Sequence, residues 1–308
     1  VVIGGGTGLA VLLKGLKQYT SQLTAVVTVS DDGGSSGRLR AEMGVLPPGD
    51  IRNCLVALAE TETLMDQVFQ HRFGQGNGLQ GHNLGNLLLV AMTEIAGDFV
   101  SAIKEVSKVL KVRGKVMPST LEHVALGAHM SDGTTVYGET SIRSYGQRIE
   151  KLFLVPELCL PVPETIDAIM EADAVVIGPG SLYTSIIPNL LVQGVPEAIG
   201  QSPARTFYVS NIMTESGETD DYEAMDHLRV IYDYLKAPLD YVVVNSGSLD
   251  ETRLKSYQQE KARPVTPVQR EDLKAWGTAV IEENLISDSA LAWHDSDKLA
   301  RAILKALE

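Results

Sequence analysis

The sequence predicts an α/β chain built on a mostly parallel, doubly wound sheet with an antiparallel hairpin insertion. Three observations predict it. Short β-branched runs alternate with stretches of helical periodicity. The opening segment reads strand, tight glycine turn, helix, strand within about 30 residues, which is a βαβ unit. Almost every predicted strand stops in a string of glycine and hydroxyl residues, at the edge where doubly wound sheets bind ligands.

Taken in order, Val1-Val2-Ile3 is the first strand and Gly4-Gly5-Gly6-Thr7-Gly8 the turn. Leu9, Leu12, Leu13 and Leu16 mark the buried stripe of the first helix. Ala25-Val26-Val27-Thr28-Val29 is the second strand. Helical patterns follow over residues 50–60, 83–95 and 99–110, the first behind Pro47-Pro48-Gly49 with Asp50 as an N-cap. Residues 115–155 read as an antiparallel insertion or edge, because 124–129 and 134–137 flank the hairpin signal Ser131-Asp132-Gly133. Alternation then resumes, with strands at 174–177, 206–209 and 241–244 and helices at 222–235, 249–261 and 296–307. That pattern argues for a sheet covered on both faces.

Composition bounds the function. The chain has 308 residues, near the limit of roughly 250–300 for one hydrophobic core. It reads as a single domain over 1–308 with the 115–155 region inserted in it. Twenty-six Lys+Arg stand against 39 Asp+Glu, a net charge of −13. No broad positive field is available for nucleic acid or an anionic membrane, so the expected partner is a small molecule. The two cysteines, Cys54 and Cys159, are too few for a disulfide scaffold or a metal cluster and sit in apolar segments. Cytoplasm is the expected compartment. Apolar runs such as 84–92 fall far short of the ~20 residues of a membrane span. The chain opens at Val1 already inside a strand, so a few residues are expected to precede it. A homodimer is expected only because such assemblies are common.

The loops after the strands carry the chemistry. In the first, Gly4-x-Gly6 would need Gly or Ala at position 9 for a dinucleotide fingerprint, and Leu9 stands there; the Gly-Lys-[Ser/Thr] end of a Walker A loop is also missing. The loop therefore supports phosphate contact by Gly5, Gly6, Thr7 and Gly8 without specifying NAD or ATP. Asp31 follows Gly8 by 23 residues, where a ribose-binding acid follows a Rossmann loop. For Asp31 and Asp32 the open readings are ribose binding, Mg²⁺ binding, a general base, and an Asx-type turn. Gly34, Ser35 and Ser36 continue the polar string, and Arg38 either neutralises a phosphate or is a solvated helix residue. Asp50, Arg52 and Asn53 form a second knot, and His82, Asn83 and Asn86 a third; buried amides on an apolar helix need partners, from a ligand or from capping. Gly178, Gly180, Ser181 and Asn211 extend the candidate surface at two later strands. The other histidines lack metal-ligand spacing, and neither a G-x-S-x-G elbow nor a Cys–His pair marks a nucleophile.

Several strings together resemble one family: GGGTG, DDGGSSGRLR, PPGDIRN, GHNLGN, IGPGSLYTSIIPNLL and NIMTESGETDDY. They resemble the bacterial gluconeogenesis-factor (YvcK-like) family within the CofD-like superfamily, in the family's motif order and across nearly the whole chain. The resemblance implies a Rossmann-like three-layer α/β/α fold. It implies a cytoplasmic factor that binds UDP-sugars such as UDP-N-acetylglucosamine and serves gluconeogenic growth, cell shape and wall synthesis. The family's enzymatic cousins, the 2-phospho-L-lactate transferases, move a phospholactyl group from a guanosine diphosphate adduct onto a deazaflavin precursor with Mg²⁺. By that similarity Asp50 resembles their acceptor-site aspartate, and Thr7 and Gly8 part of their nucleotide-side loop. Their G-D-R-D segment is replaced by Gly81-His82-Asn83-Leu84, which counts against transferase activity. Two readings stay open. One is a regulatory factor that binds a nucleotide sugar without turnover. The other is a Mg²⁺-dependent phosphotransferase using a nucleoside-diphosphate donor, in which Asp50 or Asp32 holds metal or activates the acceptor hydroxyl. Leu9 and the lack of an acid–base pair for hydride chemistry demote a nicotinamide dehydrogenase.

Overall fold

The computed structural model describes residues 1–60, 63–259, 261–266, 268, 273 and 275–308. Strands β1 (Val2–Gly4), β2 (Thr24–Val27) and β3 (Lys115–Pro118) open the main sheet. Strands β4 (Ala125–Met130), β5 (Thr135–Tyr137) and β6 (Ile149–Val155) make a separate antiparallel sheet in the order β5-β4-β6. Strands β7 (Ala174–Ile177), β8 (Arg205–Val209), β9 (Tyr241–Asn245) and β10 (Ala279–Glu283) complete the main sheet. Its order is β10-β9-β8-β7-β1-β2-β3, and every pairing in it is parallel.

The helices up to the insertion are α1 (Gly6–Leu16), α2 (Gly34–Met43), α3 (Gly49–Leu58), α4 (Thr63–Gln70), α5 (Leu84–Ala96) and α6 (Phe99–Leu110), and α7 (Glu139–Ser144) lies inside it. After it come α8 (Pro163–Met170), a π-helical turn (Leu182–Ile186) running into α9 (Ile187–Leu190), α10 (Val195–Gln201), α11 (Ala224–Leu235), α12 (Glu251–Gln258) and α13 (Ser296–Lys305). The chain winds outward from β1 to β3, returns to lay β7 on the other side of β1, and winds outward again to β10. Right-handed crossovers that leave β1 in opposite directions put their helices on opposite faces. Helices α1, α3, α6 and α13 pack together as one layer, and α8 to α11 as the other. The doubly wound α/β expectation holds, with its switch point between β1 and β7.

Three corrections follow from the coordinates. Residues 115–118 belong to the main sheet as β3, paired with β2, so the antiparallel insertion begins after them. Alternation decides this, since Val116 and Pro118 are buried while Lys115 is exposed. Asp50 does not cap α3: Pro48 stands at the cap with helical backbone, and Asp50 falls inside the first turn. The edge strand β10 and helices α2 and α4 escaped the periodicity argument, α2 because GSSGRLRAEM carries almost no apolar stripe. Residue 260 of the helix expected at 249–261 lies outside the described residues.

The core is aliphatic. Leu9, Leu12 and Leu13 of α1 are fully buried, as are Cys54 and Cys159, both free thiols. No single helix among the described residues is long and apolar enough to cross a membrane. Helix α1 meets α13 so closely that a Cβ on Gly15 would stand 1.8 Å from the Ser296 carbonyl oxygen. Gly15→Ala should therefore cost about 1–3 kcal/mol by overpacking and lower the melting temperature by several degrees. An unchanged melt would show that α1 and α13 separate freely.

Candidate functional site

At the reversal of winding, the turn after β1 and the turn after β7 lie side by side. Gly6 has a φ of +65°, a conformation that glycine adopts at no steric cost. A Cβ on Gly8 would stand 2.8 Å from the Pro179 carbonyl oxygen, and one on Gly5 2.7 Å from the Asp50 carboxylate. The residue before helix α1, Gly5, offers no side-chain cap, and of the first-turn N–H groups that of Gly6 goes to Asp50, which leaves those of Thr7 and Gly8 for whatever lies at the N-terminus. In front of it opens a cavity of about 700 Å³, well within the range of small-ligand sites. Gly6, Thr7 and Gly8, then Gly180 and Ser181 line it, together with Asp31, Asp50 and Asn211. Gly5 and Gly178 do not line it.

The cavity is acidic. Asp31 and Asp50 share it with two acids that sequence reasoning missed, Glu139 from the insertion helix α7 and Glu215 from the loop after β8. Burial raises the Asp50 carboxyl to about 6, against a donated Gly6 N–H that lowers it. Burial, then the charges of Asp31 and Asp50, raise Glu139 to about 9. Asp31 is also raised, chiefly by burial. Behind Glu215 lies Glu218, raised to about 7 by burial and by Glu215. Glu218 accepts from the Tyr183 N–H at 3.2 Å and the Thr184 hydroxyl at 2.9 Å, clamping the π-helical turn. Arg143 of α7 faces both glutamates, with Nε 3.2 Å from Glu218 and Nη2 3.9 Å from Glu215. Among the described residues it is the arginine that lines the cavity, so the insertion supplies both its cation and one of its acids.

Several predicted residues turn out to be committed to the protein itself. Ser181 donates to Glu215 at 2.5 Å and Asn211 does so at 3.1 Å, which leaves the backbone of this loop to meet an anion. Asp31 makes the Asx turn, accepting from the Gly33 N–H at 2.8 Å, and still faces the cavity. Asp32 does not face it; its Oδ1 accepts from the Thr140 N–H and hydroxyl at 3.0 and 2.8 Å, which ties the loop to α7. Ser36 accepts from the Gly49 N–H. Ser35 bonds to His82 Nδ1 and accepts from the Asn83 N–H. Asn83 caps α5 by accepting from the Asn86 N–H at 3.1 Å. Gly34, Ser35, Ser36, Arg38, Asn53, His82, Asn83 and Asn86 thus lie apart from the cavity lining. The far wall comes from Tyr257, Trp293 and His294, late residues that form no motif. Burial holds His294 down at about 4, so it is neutral, and its Nε2 meets no protein partner. Among the described residues no three His, Cys, Asp or Glu side chains are placed to hold a metal ion together.

The Asp50 shift has a sign that can be tested. Its ordinary value is 3.8 and its folded value about 6. The folded chain binds the extra proton between those values, so the burden of the buried charge is absent below about pH 4 and complete above about pH 6. Asp50→Asn removes that burden. The variant should exceed the wild type in stability by about 1–3 kcal/mol at neutral pH and match it near pH 3.5. Urea melts at the two pH values check this, and equal stability at neutral pH would refute the burial argument.

The comparisons with known proteins agree across the chain. A family model described as 2-phospho-L-lactate transferase CofD matches residues 1–286. The chain is 52% identical over 308 residues to a gluconeogenesis factor of Halalkalibacterium halodurans, covering 99% of this chain and 95% of that protein. It is 50% identical over 309 residues to the gluconeogenesis factor of Bacillus subtilis, covering 100% and 97%. It also resembles an X-ray crystal structure of a Bacillus halodurans protein, with a TM-score of 0.95, 51% identity and 98% of each chain covered.

Proposed function

This chain belongs to the CofD family, with the gluconeogenesis factors, and we propose that it is a regulatory factor that binds a UDP-sugar without turning it over. One observation carries the reading: the cavity at the switch point joins a glycine-rich helix N-terminus to the carboxyl groups of Asp31, Asp50, Glu139 and Glu215 and to the aromatic rings of Tyr257 and Trp293. The diphosphate meets the first-turn N–H groups of α1 and the backbone at Gly180 and Ser181. Asp31 and Glu139 take ribose and sugar hydroxyls. The base stacks on Trp293 or Tyr257, both at the cavity wall. The acids do not forbid a diphosphate. Two unit charges 4 Å apart cost about 4 kcal/mol near a protein surface, but Glu139, raised to about 9, is neutral at pH 7 and can donate to an oxygen. The role of the factor is cytoplasmic and serves growth on gluconeogenic carbon, cell shape and wall synthesis.

A second reading has its own support in Asp31 and Asp50, two carboxylates facing the Gly6–Gly8 turn. Mg²⁺ is commonly held by one or two carboxylates plus substrate phosphates. This pair fits such an ion when a nucleotide supplies the remaining oxygens, and the ion would supply neutralisation of phosphate charge. Asp50 would then receive the acceptor's proton in a phosphotransferase.

Titration calorimetry with UDP-N-acetylglucosamine, UDP-glucose, GDP and NAD, each with and without Mg²⁺, separates the two. We expect metal-independent binding of a UDP-sugar with no product by mass spectrometry, and a loss of about ten-fold or more in Trp293→Ala. GDP preference that strengthens with Mg²⁺, or release of a nucleoside monophosphate that Asp50→Asn abolishes, would establish the transferase instead. For the physiological role, the gene should restore growth on gluconeogenic carbon to Bacillus subtilis lacking its own gluconeogenesis factor. Failure of a well-expressed protein to do so would reject that role.

A further inference from the structure

Outside the cavity, three arginines gather around the first turn of α5, and among the described residues none of them has a carboxylate within ion-pair distance. That is unexpected in a chain of net charge −13. Arg52, on α3, is 6% exposed. Its Nη2 donates to Asn53 Oδ1 at 2.7 Å, while its buried Nε and Nη1 meet no acceptor. Its stem lies against α5, where a Cβ on Gly85 would stand 2.7 Å from Arg52 Cδ. Arg72 and Arg38 are exposed and flank it, donating to the Gly81 and Gln80 carbonyls at 2.7 and 2.8 Å. Buried beside them are His82 and Asn86, and Asn86 Oδ1 has no donor. The N-terminal end of α5, a helix of 13 residues, points its partial positive charge at the same place.

Buried guanidinium N–H groups without acceptors are costly. Asp50 and Asp31 act on Arg52 only through space, while Arg72 opposes its charge, so neither acid supplies the missing acceptor. A tetrahedral oxyanion supplies it. It accepts from one of the two unpartnered Arg52 donors, Nε or Nη1, which lie on different edges of the guanidinium, and its outer oxygens reach toward Arg38 and Arg72. A hydroxyl on the same group supplies the donor that Asn86 Oδ1 lacks. We propose that Arg38, Arg52 and Arg72 form a second anion site, separate from the switch-point cavity, for a hydrogen phosphate group. The group is either free phosphate or the monoester end of a small metabolite. Arg38, Arg72 and the glycine-rich segment 74–80 are exposed, so the outer part of the site is open to solvent. The site does not depend on the nucleotide-sugar reading, because it shares no residue with the cavity lining.

Titration of the full chain with inorganic phosphate and with glycerol phosphate, at fixed ionic strength, tests the proposal. Binding should be one to one, and Arg72→Gln and Arg38→Gln, both at exposed positions, should each weaken it about ten-fold. Arg52→Gln should abolish it, and the two surface variants keep the test valid if that protein does not fold. Tighter binding of the monoester assigns the site to a metabolite, and equal or tighter binding of inorganic phosphate assigns it to the free ion. Absence of phosphate binding at millimolar concentration, or binding unaltered in both surface variants, would overturn the proposal. So would mutual exclusion of phosphate and UDP-N-acetylglucosamine, since that would place the phosphate in the cavity. Failure of the UDP-sugar to bind leaves the phosphate result standing.

Discussion

The ligand face rests on a steric constraint where the winding reverses. The turn after β1 meets the turn after β7 backbone to backbone, with no space for a side chain between them. The contact is reciprocal: a Cβ on Gly8 would press on the Pro179 carbonyl, and one on Gly180 would stand 3.2 Å from the Gly5 carbonyl oxygen. Glycine is the residue that allows this approach. The approach brings the uncapped start of α1 beside the π-helical turn, and π-helical turns recur at functional sites. The cavity is therefore a consequence of topology. Strand order places it, and the glycines keep it open.

Around that opening the protein sustains electrostatic tension. Asp31, Asp50, Glu139 and Glu215 face one space, with Arg143 as the arginine in its lining. Burial pushes three of these carboxyls upward, and the fold relieves the strain by keeping Glu139 protonated. Hydrogen bonds from Ser181, Asn211, Tyr183 and Thr184 to the two loop glutamates do the rest. Such an arrangement serves stability poorly, because each buried carboxyl that must ionise weakens the fold. It serves a ligand rich in hydroxyls well, because carboxylates are strong acceptors held in place before the ligand arrives.

The fold was largely legible in the sequence, and the site only in part. Leucine spacing in α1 and the β-branched runs of β2, β7 and β9 announce the sheet, since burial on both faces leaves long apolar runs. The start of α5 and the whole of α6 were equally plain from periodicity, and the structure adds the Asn83 and Asp98 caps at their starts. Helix α2 was hidden because contacts with neighbouring turns hold it more than an apolar stripe does. At the site, glycine strings located Gly6, Thr7, Gly8 and Gly180 because they report backbone geometry. Glu139 and Arg143 were invisible: they arrive from an insertion more than 100 residues after β1, and only tertiary structure brings them there. Tyr257, Trp293 and His294 were missed for the same reason. The serine and asparagine strings around Ser35 and Asn83 lie apart from the cavity lining. In the structure their side chains cap helices and join loops, and composition alone does not distinguish those uses.

The short string Pro48-Gly49-Asp50-Ile51-Arg52-Asn53 shows how one helical turn serves two polar districts. Asp50 and Arg52 are two residues apart, a spacing that does not put side chains on the same helix face. Asp50 turns toward the Gly6–Gly8 turn, and Arg52 turns toward the start of α5. Close in sequence and opposite in charge, they feel each other's charge but form no ion pair. Had they paired, the cavity would have lost an acceptor and the arginine cluster its buried cation. The Pro48–Gly49 entry sets the phase of α3, and that phase keeps them apart. A one-residue slip in the start of this helix would rotate both side chains away from their districts together. The acidic cavity and the basic cluster are thus tied to the same backbone register of one helix.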